Sequence, residues 1–187
     1  MSIVVFGAKY LIFCLIVLFV AYFLLQESQQ QRGMLLLSVS YFPLVYVTAL
    51  AVSFFYYDPR PFMLEPVHSL IIHAPGNGFP SDHMLLSSSI ASVLFLYDKK
   101  LGIITWALAI LVGMSRVAAG VHHPIDIVGS ALISVVILII IRLTIYPLMS
   151  KWINLIPTFA IFTKSKSNIK LSGNNKLLST FYKKLMH

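Results

Sequence analysis

Ser115-Arg116-Val117-Ala118-Ala119-Gly120-Val121-His122-His123-Pro124-Ile125-Asp126 stands between two long apolar runs, 101–117 and 124–146. A little upstream, Gly78-Phe79-Pro80-Ser81-Asp82-His83 opens a third run, 81–97, and Arg60-Pro61 lies farther back in a polar stretch. Strongly apolar segments have little physical reason to gather Ser, Arg, His and Asp at their ends. An ionisable group within or beside a membrane span is costly and reads as functional by default.

Outward from these motifs the chain is hydrophobic. Of its 187 residues 58% are hydrophobic and 11% charged, and its mean hydropathy is +0.87. A soluble domain carries roughly 25% charged residues, so the composition predicts an integral membrane protein. Five apolar stretches, 3–25, 34–57, 81–97, 101–117 and 124–146, approach the ~20 residues that cross a bilayer. The fold class predicted is all-α: a polytopic helix bundle of five transmembrane helices, or six if 148–162 also crosses. That last patch is interrupted by Lys151 and Pro157 and reads better as interfacial. The first stretch lacks a basic start and a small-residue cleavage site, so it reads as a retained helix and not a signal peptide. Ser87, Ser88, Ser89 and Ser92 in the third stretch predict close helix packing.

Residues 1–147 therefore read as one transmembrane domain with its motifs inside 53–130, followed by an interfacial segment and basic tail, 148–187. The turns 26–33 and 98–100 are short and polar. The connection 58–80 is long and broken by Pro59, Pro61, Pro66, Pro75, Gly76 and Gly78, and long loops of this kind are often functional. Positive charge sets the orientation. Arg32, Lys99, Lys100, Arg142 and the tail lysines Lys151, Lys164, Lys166, Lys170, Lys176, Lys183 and Lys184 share one side, against Lys9, Arg60 and Arg116 on the other. The tail is then cytoplasmic and touches anionic lipid headgroups, and the motif loops open outside the cell membrane. This threading brings Arg60, Ser81, His83, Arg116, His122 and Asp126 to one face. The net charge of +8 sits in the tail with no interleaved aromatics, which argues against nucleic acid as a partner. The single cysteine, Cys14, lies in the first apolar run and forms no internal disulfide.

The motif residues have the chemistry of a phosphate site. Ser81 is a favourable N-cap, and the free N–H groups of the following turn form an anion site. His83, within a turn of that point, could give a proton to a leaving oxygen. Pro124 suits the first turn of a helix, which frees His122 in the tight link before it and puts Asp126 within reach of the His122 ring. A carboxylate on one imidazole nitrogen fixes the tautomer and leaves the other as acceptor, hence nucleophile. Arg60 and Arg116 offer planar forks for phosphoryl oxygens. Ser-Arg-x5-His-x3-Asp arises by chance in a chain of this size with a probability on the order of one in a thousand.

These pieces resemble the signature of the type-2 phosphatidic acid phosphatase superfamily over about residues 53–130. The family's motifs are Lys-x6-Arg-Pro, Pro-Ser-x-His and Ser-Arg-x5-His-x3-Asp. The resemblance implies an acid phosphatase/vanadium haloperoxidase-like core, usually of six helices, and hydrolysis of a lipid phosphate through a phosphohistidine, with no metal or cofactor. It implies that Arg60, Ser81 and Arg116 bind phosphate, His83 protonates the leaving group, His122 attacks phosphorus and Asp126 orients His122. Pro-Ser-Asp-His, with Asp82 in place of the commoner glycine, is similar to bacterial undecaprenyl pyrophosphate phosphatases. Undecaprenyl pyrophosphate is accordingly the leading substrate, with phosphatidylglycerophosphate, phosphatidic acid and lipid A as alternatives. The family lysine is Ser53 here, which leaves open weakened activity, a less charged substrate, compensation from His68 or His73, or an idle binding relative. A transporter with an ionisable lining is a third class.

Plainer readings stand beside these. His68 and His73 are expected to face solvent or headgroups. His123 is expected to pack or cap, with substrate contact as the lesser option, and Asp82 is a further candidate at the phosphate. A metal site in the histidine cluster is disfavoured by the two arginines. Phe54-Phe55-Tyr56-Tyr57 reads as an interfacial aromatic belt, and Asp58-Pro59 as a turn. Oligomeric state leaves no mark in the sequence.

Overall fold

A chain that enters lipid must satisfy its backbone N–H and C=O groups internally, and a helix does so within one segment. The computed structural model, which describes residues 2–64 and 68–149, is helical throughout its regular parts. The elements are α1 (Ile3–Lys9), α2 (Leu11–Leu25), α3 (Ser28–Phe55), a 3-10 turn (Pro61–Met63), α4 (Asp82–Tyr97), α5 (Lys99–Ala118), α6 (Pro124–Leu143) and α7 (Ile145–Met149). Among the described residues the strand-like pairing is limited to one bridge between Pro59 and Asn77. Helix α3, helix α5 and the stretch Pro124–Leu148 are long and apolar enough to cross a membrane, and α1 with α2 forms a further candidate span bent by 48°. The molecule is an all-helical, multi-pass membrane protein.

Two expectations change. The first apolar run is not one straight helix but breaks at Tyr10. Helix α1 is held sideways by the end of α5: Ala8 is buried, and its carbonyl accepts from Arg116 Nη1 at 3.2 Å. The polar turn 26–33 also shrinks to Gln26-Glu27, because α3 begins at Ser28. Its glutamines are spent on the end of α2. Gln31 Nε2 donates to the Phe23 and Leu24 carbonyls, and Gln26 Nε2 to that of Tyr22. The carbonyls that a helix end leaves orphaned are thereby satisfied. The interfacial patch 148–162 and the basic tail lie, from residue 150 onward, outside the described residues.

Helix α4 has only 16 residues, and its surroundings explain how so short a helix is held. It packs against α2, α3, α5 and α6. Its buried residues run from Met84 to Leu94 with Ser87, Ser88, Ser89 and Ser92 among them. Small serines let neighbouring backbones approach closely. On one flank Leu85 and Val93 join Leu37, Tyr41 and Val45 of α3 and Ile137, Leu138 and Ile141 of α6. On the other, Ile90, Ala91 and Leu94 join Leu15, Met34, Ala109 and Val112. A third cluster of Ala8, Ile71, Ala119 and Val121 ties α1 and the long loop to the α5–α6 turn. That cluster frames the end of the bundle where the polar motifs converge.

Candidate active site

Helix α5 stops where Gly120 takes a positive φ of 72°, a conformation that a glycine adopts without steric cost and that commonly ends helices. The chain then turns within a few residues to His123, the N-cap of α6, followed by Pro124 at the first helical position. Asp126, in the first turn of α6, accepts the His123 backbone N–H at 2.9 Å through Oδ2. The same oxygen lies 3.1 Å from His122 Nδ1. An ionised carboxylate accepts only, so this contact assigns the imidazole proton to Nδ1.

His122 Nε2 is thereby an acceptor, and two guanidinium groups face it. Arg60 Nη1 lies 3.2 Å away and Arg116 Nη2 3.4 Å away. Each arginine is also fixed from behind, Arg60 Nη1 by the Val121 carbonyl at 3.1 Å and Arg116 Nη1 by the Ala8 carbonyl. His122 and Asp126 are 2% and 0% exposed. Burial holds the His122 imidazole below its ordinary value; its Asp126 hydrogen bond opposes this and the Arg116 and Arg60 charges reinforce it. The ring is neutral near pH 7, as a nitrogen nucleophile must be.

Ser81 caps α4 without bonding its own helix, and its Oγ is buried with no hydrogen-bond partner among the described residues. Arg60 Nε and Arg116 Nε are in the same condition. Buried donors left unpaired are costly, and two like charges drawn to one nitrogen are costlier still. An anion bound among them would relieve both penalties. His83, the second residue of α4, is half-buried and lies within electrostatic range of Arg116, His122, His73 and Arg60. Asp82 is exposed and lines a cavity of about 310 Å³ with Phe42, Val45, Tyr46, Leu85, Leu86 and Ser89, while staying within electrostatic range of Arg60 and Arg116.

Several supporting residues escaped the sequence reading. Ser130, four residues beyond Asp126, places its Oγ 2.7 Å from the Asp126 carbonyl and 3.0 Å from that of Ser81, which locks the starts of α4 and α6 together. Asn77 is the hub of the long loop. Its Nδ2 donates to the Ser53 and Tyr56 carbonyls and to Ser53 Oγ, and its Oδ1 accepts from the Asp58 and Phe79 N–H groups. An Asn between two glycines was the available signal. Gly78 must stay bare, since an added Cβ would sit 2.9 Å from Asp126 Oδ2 and 3.2 Å from the Asp58 carbonyl. His123 caps α6 as expected and also pairs with Asp58, Nδ1 to Oδ2 at 2.9 Å. Asp58 is therefore more than a turn residue. His68 is exposed, but His73 is half-buried, its ring 6.2 Å from that of His122 in an edge-on arrangement. The expectation that His73 faces solvent gives way to the pull of Ile71, which buries itself beside Ala119 and Val121.

Asp58, His123 and Asp126 bring potential metal-ligand atoms within 4.8 Å of one another. Their atoms are already engaged: the His123 ring with Asp58, and Asp126 Oδ2 with the His123 N–H and the His122 ring.

Residues 33–150 match the family model of the PAP2 superfamily. The chain belongs to this superfamily, and it is a phosphatase. As a PAP2 protein it is 32% identical over 139 residues to "Undecaprenyl-diphosphatase BcrC" of Bacillus subtilis (strain 168), covering 73% of this chain and 70% of that protein. It is 35% identical over 134 residues to "Bacitracin transport permease protein BcrC" of Bacillus licheniformis, covering 71% of this chain and 66% of that protein. Among solved structures, the crystal structure of Aquifex aeolicus LpxE superposes with a TM-score of 0.56 at 28% identity, covering 73% of this chain and 79% of that one.

Proposed function

We propose that this PAP2 phosphatase removes the terminal phosphate of a lipid pyrophosphate, with undecaprenyl pyrophosphate as the favoured substrate. The observation that carries the reading is the neutral, Asp126-bound His122 whose free nitrogen faces the Arg60 and Arg116 guanidinium groups. In the proposed reaction Arg60, Arg116 and Ser81 clamp the terminal phosphoryl oxygens. His122 Nε2 attacks phosphorus, the bond to the bridging oxygen breaks, and His83 gives that oxygen its proton. The lipid monophosphate leaves. Water then attacks the phosphohistidine with His83 as base, which releases inorganic phosphate and restores the imidazole. Clamping charge that develops in the transition state is where such a site gains its rate. No metal or cofactor enters any step.

The name carried by the Bacillus subtilis relative and the Pro80-Ser81-Asp82-His83 motif support the diphosphate reading. The same pocket would serve another lipid phosphate, such as phosphatidylglycerophosphate, phosphatidic acid or lipid A, and the structural likeness to LpxE keeps that second reading in view. We place residues 1–147 as the transmembrane phosphatase domain with five crossings, α1 and α2 together making one. In this reading the active site faces outside the cell membrane and the basic segment 148–187 lies on the cytoplasmic side, which the distribution of lysine and arginine supports. Phosphate release from a panel of detergent-solubilised lipid phosphates is the test. Release from undecaprenyl pyrophosphate ahead of the monoesters is expected. Release from monoesters alone would move the assignment to the second reading, and flux in sealed vesicles without phosphate release would point to a transporter.

A further inference from the structure

We propose that His73 is a further phosphate-binding residue of this site, supplying from the long loop an imidazole that takes up a proton when the anion binds. The inference rests on the phosphatase reading above and adds a contact to it.

Three observations carry it. The first is placement. The His73 ring, on the loop 58–80, stands edge-on to the His122 ring at 6.2 Å. The second is that the loop is tied down to keep it there. The Leu70 N–H donates to the Ala119 carbonyl at 2.9 Å, and Ile71 is buried with Ala8 and Val121. His68, on the same loop, has no such anchoring and is exposed. The third is chemistry. His73 Nδ1 lies 3.3 Å from the Ala74 carbonyl, which leaves Nε2 for a ligand. Ser53, which stands where the family motif has a lysine, brings no charge, and its Oγ accepts from Asn77 Nδ2.

The groups facing His73 are Arg60 from the loop, Arg116 from α5, His122 from the α5–α6 turn and His83 from α4. Burial lowers the proton affinity of His73; the Ala74 carbonyl opposes this, and the Arg60, Arg116 and His122 charges lower it further. In the absence of an anion the ring is therefore neutral near pH 7. A phosphate dianion among those cations reverses the local field, and a proton from solvent then converts His73 to a charged donor. Binding should strengthen as pH falls toward the ordinary histidine range.

The test is equilibrium binding of inorganic orthophosphate to the detergent-solubilised full chain, compared between proteins so that the ligand's own ionisation cancels. At about pH 6, His73→Ala is expected to bind about tenfold more weakly than the wild type, the scale of one charge-assisted hydrogen bond, and at about pH 8 the gap closes to under about threefold. His73→Asn, which keeps the shape without the charge, should follow His73→Ala. His73→Lys, charged at both pH values, should match the wild type at about pH 6 and bind more tightly than it at about pH 8, and His68→Ala should track the wild type throughout. Equal affinity of wild type and His73→Asn at about pH 6, or the same loss at both pH values, overturns the inference alone. A wild type that binds no orthophosphate at either pH overturns it together with the phosphatase reading.

Discussion

Asp126 and His122 work as a pair, and the 3.1 Å contact between them decides which imidazole nitrogen faces the substrate. Asp126→Asn keeps the shape but presents a donor or acceptor at random, so the productive tautomer is lost. By analogy with other carboxylate-histidine pairs, kcat should fall by about 10²–10⁴ with little change in KM, measured by steady-state phosphate release. The pH profile carries a sign that can be checked. Burial already lowers the His122 proton affinity, and the Asp126 hydrogen bond opposes that shift. His122 must be neutral to attack, so the acid limb of kcat/KM should lie below the usual value of about 6.5. In Asp126→Asn, which loses the opposing bond, that limb should move to still lower pH. Arg116→Lys loses the fork that reaches both His122 and the Ala8 carbonyl. It should damage KM and kcat together, by about tenfold or more overall.

Among the elements, the long loop determines whether Arg60 stands in the site at all. Asn77 joins the end of α3 to both ends of that loop, and Asp58 fastens it to His123. Asn77→Ala takes the partner from the part-buried Asp58 and Phe79 N–H groups and the Ser53 carbonyl. It should cost about 1–3 kcal/mol of local stability, read as faster hydrogen exchange in 53–60 and 76–79. The α5–α6 turn has a different weakness, because any residue but glycine at Gly120 meets its φ of 72° with strain. Gly120→Ala should destabilise by about 1 kcal/mol, seen as a lower thermal midpoint in detergent. These elements also show where sequence reasoning succeeds and stops. The apolar runs and the N-terminal signals Ser81 and Pro124 mark α4 and α6 closely, because helix starts are encoded within a few residues. Asp58 and His123 meet across 65 positions, and His73 reaches His122 only because Ile71 is buried against α1 and the α5–α6 turn. Contacts of that kind have no local pattern to read.

For the bundle and its membrane, the governing idea is that α4, α5 and α6 bring distant polar residues to one end. The ends of the two apolar runs in the motif could be read as neighbours from the sequence alone, since helices of similar length joined by tight turns must return to the same side. The 48° break at Tyr10 could not, because it follows from packing of α1 on the end of α5. Orientation is testable directly. In a Cys14→Ser background, Pro75→Cys should react with a membrane-impermeant thiol reagent on intact cells and Lys100→Cys should not. The reverse pattern would place the site in the cytoplasm.

The proposed reaction requires a covalent bond from phosphorus to one nitrogen, His122 Nε2. Rapid quenching of turnover with undecaprenyl pyrophosphate labelled in its terminal phosphate should trap an acid-labile, base-stable label. Peptide mapping should place that label on His122, and a His122→Ala protein should show neither label nor phosphate release. Full phosphate release by His122→Ala, or a label on any other residue, would contradict the account.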